Sequence, residues 1–150
     1  MSLELSIPCV PPRSTAQSRT RAVLTRRGPR FYKKNSGDWS RFRAQVEHKL
    51  RVGSLSPAAR EVREAKAVAL ALLVAFPWPS GTSKATARTE AYRTTKPDAD
   101  NLAKGIIDLL ADCLVIPPDQ RVALLTVVKV NSPNPRLEIR ASAANLIRSE

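Results

Sequence analysis

Hydrophobic positions along the chain repeat first at strand spacing and then at helix spacing. Leu3 to Val10 alternates apolar and polar residues, which predicts a strand that Pro11-Pro12 must end, because proline cannot extend a hydrogen-bonded ladder. Ala22 to Thr25 and Arg30 to Tyr32 flank Gly28-Pro29 and predict a β-hairpin turning at that dipeptide. Phe42, Val46 and Leu50, spaced i, i+4, i+8, predict a helix from about Trp39 to Arg51, capped by Ser36 or Asp38 and stopped at Gly53-Ser54. Pro57 to Ala65 predicts a short second helix. Ala67 to Phe76 is continuously apolar at strand length, the pattern of a strand buried on both faces at a sheet's centre.

Residues 77–95 lack periodicity and are rich in Pro, Ser, Gly, Thr, Lys and Arg, which predicts a mobile loop with at most a helical turn near Ala85 to Tyr92. Asp98 to Cys113 then gives the clearest helix. Leu102, Ile106, Leu109, Leu110 and Cys113 share one face, and Asp100, Lys104 and Asp108 stack on the other. Val122 to Val130 and Arg136 to Ala141 read as strands around an Asn-Ser-Pro-Asn-Pro turn. The order βββαβαββ predicts one α+β (or α/β) domain over residues 1–150, a mixed β-sheet with packed helices.

Composition supports a packed core: 43% of the 150 residues are hydrophobic and 25% charged. Trp39, Phe42 and Phe76 are the expected aromatic anchors of that core. Charge adds a partner. Lys and Arg number 25 against 13 Asp and Glu, a net charge of +12, and Arg outnumbers Lys 17 to 8. Arginine's planar fork matches phosphate bidentately, so nucleic acid is the expected partner ahead of a membrane surface, for which no basic amphipathic anchor is seen. Part of the arginine excess is what a GC-rich genome alone would give, but codon bias does not create net charge.

The first cation is Arg13 and prolines stand at 8, 11 and 12, so no signal peptide is expected, and the longest apolar run, Ala67 to Trp78, is too short to span a bilayer. A soluble cytoplasmic protein is the expectation. Cys9 and Cys113 form no closely spaced pair, which favours buried thiols over a disulfide framework or a zinc site, and His48 as the sole histidine excludes His-rich metal sites. Any chemistry must come from carboxylates, hydroxyls or lysine.

The acids are not evenly spread. Residues 98–120 hold Asp98, Asp100, Asp108, Asp112 and Asp119 against the single cation Lys104, a charge of −4, while the rest of the chain carries +16. A protein that binds a polyanion keeps carboxylates off its contact surface unless they serve a purpose, and the usual purpose is to hold a divalent cation against a phosphate. The structural alternative is that Asp98 and Asp100 only cap and neutralise a helix start. An EF-hand is excluded, because Ala103 and Leu109 stand where that loop needs Gly and Glu.

Lys96-Pro97-Asp98-Ala99-Asp100-Asn101-Leu102-Ala103-Lys104, continued by Asp108, by Asp119 after Pro117-Pro118, and by a strand ending in Lys129, resembles the RusA family of Holliday junction resolvases. The strand ending in Pro-Pro and the Gln17 to Gly28 stretch match that family's basic amino-terminal region more loosely. The resemblance implies a RusA-like fold and a structure-specific endodeoxyribonuclease acting on four-way DNA as a homodimer. It places Asp98, Asp100 and Asp119 as catalytic acids binding Mg²⁺, with Mn²⁺ able to substitute, and Lys104 as an essential lysine. Asp108 reads as a helix-surface residue or one that supports the ligands from behind, ahead of a ligand itself, Asp112 as solvated and Asn101 as structural support. Pro118 departs from the pattern, since many relatives carry a second acid directly before the third catalytic aspartate.

The acid-free stretch Arg13 to Lys34 is a basic hairpin region. Its Arg19, Arg21, Arg26, Arg27, Arg30, Lys33 and Lys34 are expected to contact phosphates, joined by Lys84, Arg88 and Arg93 from the 77–95 loop. Aromatics make up only 5% of the chain, so extended base stacking on single strands is disfavoured, although Phe31, Tyr32 and Tyr92 are candidates for wedges at an unstacked junction. Neither a membrane nor a small-molecule cofactor is expected. Two competing readings share the charge pattern: a non-catalytic basic nucleic-acid-binding protein whose acids cap a helix, and a less structure-selective metal-dependent nuclease.

Overall fold

The computed structural model describes residues 1–13, 20–33 and 37–146. Its elements run β1 (Ser2–Pro8), β2 (Thr20–Thr25), β3 (Gly28–Lys33), α1 (Gly37–Gly53), α2 (Pro57–Glu64), β4 (Val68–Pro77), α3 (Lys84–Ala87), β5 (Ala91–Tyr92), α4 (Ala99–Asp112), a 3₁₀ turn (Asp119–Arg121), β6 (Val122–Ser132) and β7 (Arg136–Ala143). Five strands form a mixed sheet in the order β1-β7-β4-β6-β5, and β2 and β3 form a separate two-stranded ribbon. β4 runs parallel to β6 and antiparallel to β7, which makes it the central strand, as its apolar run predicts.

Register explains which face of the sheet is buried. Leu5, Ile139, Leu72 and Val127 form one cross-strand row, and Leu3, Ala141, Leu70 and Leu125 the next. The first three residues of each row lie in or against the core under the helices. Phe42, Val46 and Leu50 of α1, and Leu102, Ile106, Leu109 and Leu110 of α4, are buried and close this layer. α1 and α4 approach so nearly that a Cβ on Gly105 would stand 3.0 Å from Trp39 Cη2. Phe42 and Phe76 are core anchors, and Trp39 packs half-buried at the core's edge. On the opposite face Glu4, Arg140, Ala71 and Thr126 share a row, so β4 alternates between buried and half-buried residues and is not buried on both faces. The helices cover only one side of it.

Two further expectations change. The hairpin turns at Arg26-Arg27, with Thr25 paired to Gly28, because Gly28 supplies the positive φ of 105° there and Thr25 Oγ1 donates to the Gly28 carbonyl at 2.7 Å. Pro29 falls inside β3, tolerated at the edge of a two-stranded ribbon. Residues 77–95 are not a structureless loop. Ser83 caps α3 through the Thr86 amide, Trp78 Nε1 donates to the Thr89 carbonyl at 2.8 Å, and β5 pairs with Asn131 and Val130. Cys9 and Cys113 are buried free thiols, and burial pushes Cys9 up to about 11.

Candidate active site

α4 begins where chain, sheet and charge meet. Its apolar stripe lies against the core, and the 3.6-residue repeat therefore turns Asp100, Lys104 and Asp108 outward. The parallel connection then returns the chain through Pro117-Pro118 to the 3₁₀ turn that opens with Asp119, and α4 packs on β6 and on this turn. A groove of about 380 Å³ results, lined by Asp100, Lys104 and Asp108 of α4, by Asp119, and by the apolar floor of Ala103, Ile107, Val122, Leu125 and Val127. Asp108, expected on the helix surface or supporting the ligands from behind, lines the same groove. Asp98 occupies the N-cap position of α4 outside that lining, and its carboxylate makes no capping hydrogen bond. A helix-capping role therefore does not account for it.

Ion pairing separates these acids from the others. Glu4, Asp38, Glu47, Glu61, Glu64, Glu90, Asp112 and Glu138 each pair with a cation at 2.7–3.9 Å. Asp98, Asp100, Asp108 and Asp119 have no ion pair or side-chain hydrogen bond among the described residues, and neither does Lys104. The i, i+4 salt bridges open to Lys104 with Asp100 or Asp108 are not formed.

The segment that delivers Asp98 is held by cations. Lys129 on β6 donates from Nζ to the carbonyls of Thr95 at 2.9 Å and Pro97 at 2.6 Å. Arg93 donates from Nε and Nη2 to the Lys96 carbonyl at 3.1 and 2.7 Å, and from Nη1 to Asn131 Oδ1 at 3.0 Å, with its guanidinium 4.4 Å above the Phe76 ring. Three consecutive carbonyls before Asp98 thus accept hydrogen bonds from two positive side chains. The bond between Lys96 and Pro97 is cis. Lys129 has no positioning role assigned from its sequence, yet strand alternation from Leu125 and Val127 puts it on the helix-facing side, in register with Ile7, Leu137 and Val74.

The expected DNA-contacting cations are less uniformly placed. Arg26, Arg27, Arg30, Lys84 and Arg88 are exposed. Arg93 is half-buried with three nitrogens engaged as above. Arg21 and Lys33 lie on β2 and β3, and Arg19 and Lys34 lie outside the described residues.

The chain belongs to the endodeoxyribonuclease RusA family, whose model matches residues 10–142. Membership defines the class: an endodeoxyribonuclease that hydrolyses DNA, with Holliday junctions and other branched DNA as the family's substrate. A comparison with curated proteins gave no match. Nucleases of the family are generally dependent on a divalent metal. The donor chemistry here fits such an ion, since four exposed carboxylates without a cation partner among the described residues are hard oxygen ligands of the kind Mg²⁺ takes. Among the described residues, however, no three His, Cys, Asp or Glu side chains stand close enough together to hold a metal as they are. No described helix is long and apolar enough to cross a membrane.

Proposed function

We propose that this protein is a magnesium-dependent resolvase of four-way DNA junctions, acting in the cytoplasm as a homodimer that makes two symmetry-related nicks. The observation that carries the reading is the groove in which Asp100, Asp108, Asp119 and Lys104 have no partner among the described residues, on a chain of net charge +12. Asp98, Asp100 and Asp119 are the ligands assigned to the ion, with Mn²⁺ as a substitute. All three side chains are exposed, and a bound cation would offset their mutual repulsion. When bound, a divalent ion supplies Lewis-acid activation of the phosphate and of water.

The chain's own contribution is positioning and charge. Lys104, one turn beyond Asp100 on the same face, places an ammonium where negative charge grows on the phosphate during hydrolysis. Ala103, Ile107 and Leu125 give the groove an apolar floor beneath these charges. Lys129 and Arg93 keep the 95–97 segment, and Asp98 with it, in place. Arg19, Arg21, Arg26, Arg27, Arg30, Lys33 and Lys34 of the hairpin region, with Lys84 and Arg88, track the DNA backbone. A two-fold dimer presents two such sites to a two-fold junction.

The test is a synthetic four-way junction incubated with the protein, with and without Mg²⁺. Paired nicks at symmetric positions that vanish on chelation are expected. Metal-independent nicking, or equal cleavage of linear duplex at matched salt, contradicts the reading.

A further inference from the structure

A second cavity, of about 230 Å³, lies where the ends of β1 and β4 meet, walled by Pro11, Phe76, Pro77 and Pro79 and by the two arginines Arg13 and Arg93. Among the described residues no carboxylate lines it. Arg93 is anchored to one wall by the Lys96 carbonyl, Asn131 and the Phe76 face, all of them uncharged, so its positive charge is fixed in place and not neutralised. Arg13 stands exposed on the other wall and has no hydrogen bond or ion pair among the described residues. Six other arginines, at 41, 43, 51, 60, 136 and 140, each have a carboxylate partner.

Two guanidiniums facing one pocket repel, and the burial of Arg93 adds to the cost. Both effects pull its pKa below the usual arginine value, burial more than Arg13. A tetrahedral oxyanion between them removes the repulsion and accepts the N–H groups that Arg93 has left, while Ser80 on the rim offers a hydroxyl.

We propose that this pocket is a subsite for a backbone phosphate of the DNA substrate, distinct from the phosphate that is cut, with Arg13 and Arg93 as its cationic walls. The proposal rests on the junction-endonuclease reading and adds a residue, Arg13, and a coupling to it. Because Arg93 also holds the Lys96 carbonyl, two residues before Asp98, a phosphate seated here fixes the strand relative to the catalytic acids.

Arg13→Gln removes one wall without touching a described contact, so folding is not at risk. Junction affinity is measured over a range of salt with chelator present, for wild type, Arg13→Gln, Arg13→Lys and, as a control, Arg60→Gln on α2. Losing one phosphate contact reduces the slope of log affinity against log salt by about 0.9. Arg13→Gln is expected to show that reduction with a several-fold weaker affinity, while Arg13→Lys keeps the slope and Arg60→Gln changes neither. In parallel, inorganic phosphate is titrated against the Arg93 Nε–H NMR signal, which should shift in wild type and not in Arg13→Gln.

Wild type that binds and cuts junctions while Arg13→Gln retains its salt slope overturns the subsite alone. Wild type that binds no branched DNA overturns the endonuclease reading and the subsite with it. A phosphate-induced shift without a change in the DNA slope also overturns the proposal, since it makes the pocket a site for a free anion.

Discussion

Two groups of acids share this surface and are partnered in opposite ways. Asp112 lies one helical turn beyond Asp108, yet Arg43 Nη1 stands 3.9 Å from Asp112 while Asp108 has no cation among the described residues. Glu47 is held between Arg43 and Arg51, and Glu90 and Glu138 both pair with Arg136. On a chain with 25 cations, pairing is the default for an acid. Exposed carboxylates are well solvated, so an unpaired acid alone carries little information. What distinguishes Asp100, Asp108 and Asp119 is that, among the described residues, they are unpaired together, in one groove, around a lysine that is also unpaired. Some paired acids join elements, as Asp112 joins α4 to α1 and Glu4 joins β1 to β7, whereas these three have no such partner among the described residues.

Each prediction acts on one side of that contrast. Outside the acids assigned to the ion, the largest effect is expected at Lys104. Lys104→Ala should lower junction nicking by about 10²–10³-fold, the usual cost of losing a charge-stabilising donor, with unfolding midpoint unchanged. Glu47→Gln, on the paired side, should leave the nicking rate alone, and equal losses in the two variants would erase the contrast.

Lys129→Met comes next, because it strips the carbonyls of Thr95 and Pro97 of their donor. Losing those hydrogen bonds should cost about 1–3 kcal/mol in urea unfolding. Nicking should fall by about 10–100-fold, as for residues that orient metal ligands, with partial rescue by Lys129→Arg. A loss of stability with full activity would separate Lys129 from the site.

A smaller change is expected from Asp108→Asn. With chelator present, removing one negative charge beside the DNA should tighten junction binding a few-fold at low salt, and the gain should fade as salt screens it. Weaker binding would mean that Asp108 makes a favourable DNA contact.

The smallest effect concerns pH. Hydrogen bonding from Arg136, then Ser132, holds the Glu90 carboxyl below its ordinary value of 4.5. A carboxyl depressed on folding contributes stability that is complete above its unfolded pKa and is lost as pH falls through the lowered one. Melting temperatures of wild type and Glu90→Gln should therefore differ slightly near neutrality and converge once pH drops well below 4.5. A gap that persists in acid would assign the effect to packing.

Much of the scaffold was legible in the sequence because its elements are long and periodic. α4 and α1 repeat apolar residues at helical spacing, and β4 is continuously apolar, so each was placed to within a residue or two. β5 was not foreseen. It has two residues and exists through its pairing to Asn131 and Val130, a tertiary contact that carries no local signal. The hairpin turn was misplaced because Gly28-Pro29 marks a turn by composition, whereas the positive φ at Gly28 belongs just after a turn at Arg26-Arg27.

The same division runs through the site. Helical periodicity alone stacks Asp100, Lys104 and Asp108, but the return of Asp119 beside them depends on β6 starting under α4, and only the family pattern pointed to it. Lys129 carries no role in that pattern, since a lysine on a strand reads as a solvated cation until the register sets it among Ile7, Leu137 and Val74.

Binding and cleavage of one four-way junction, measured side by side for wild type and Asp100→Asn, test the central claim most directly. The account predicts that the variant binds at least as tightly as wild type with chelator present, having lost a repulsive charge, and fails to nick when Mg²⁺ is added. Undiminished nicking by Asp100→Asn would show that the unpaired acids are not what cuts the DNA.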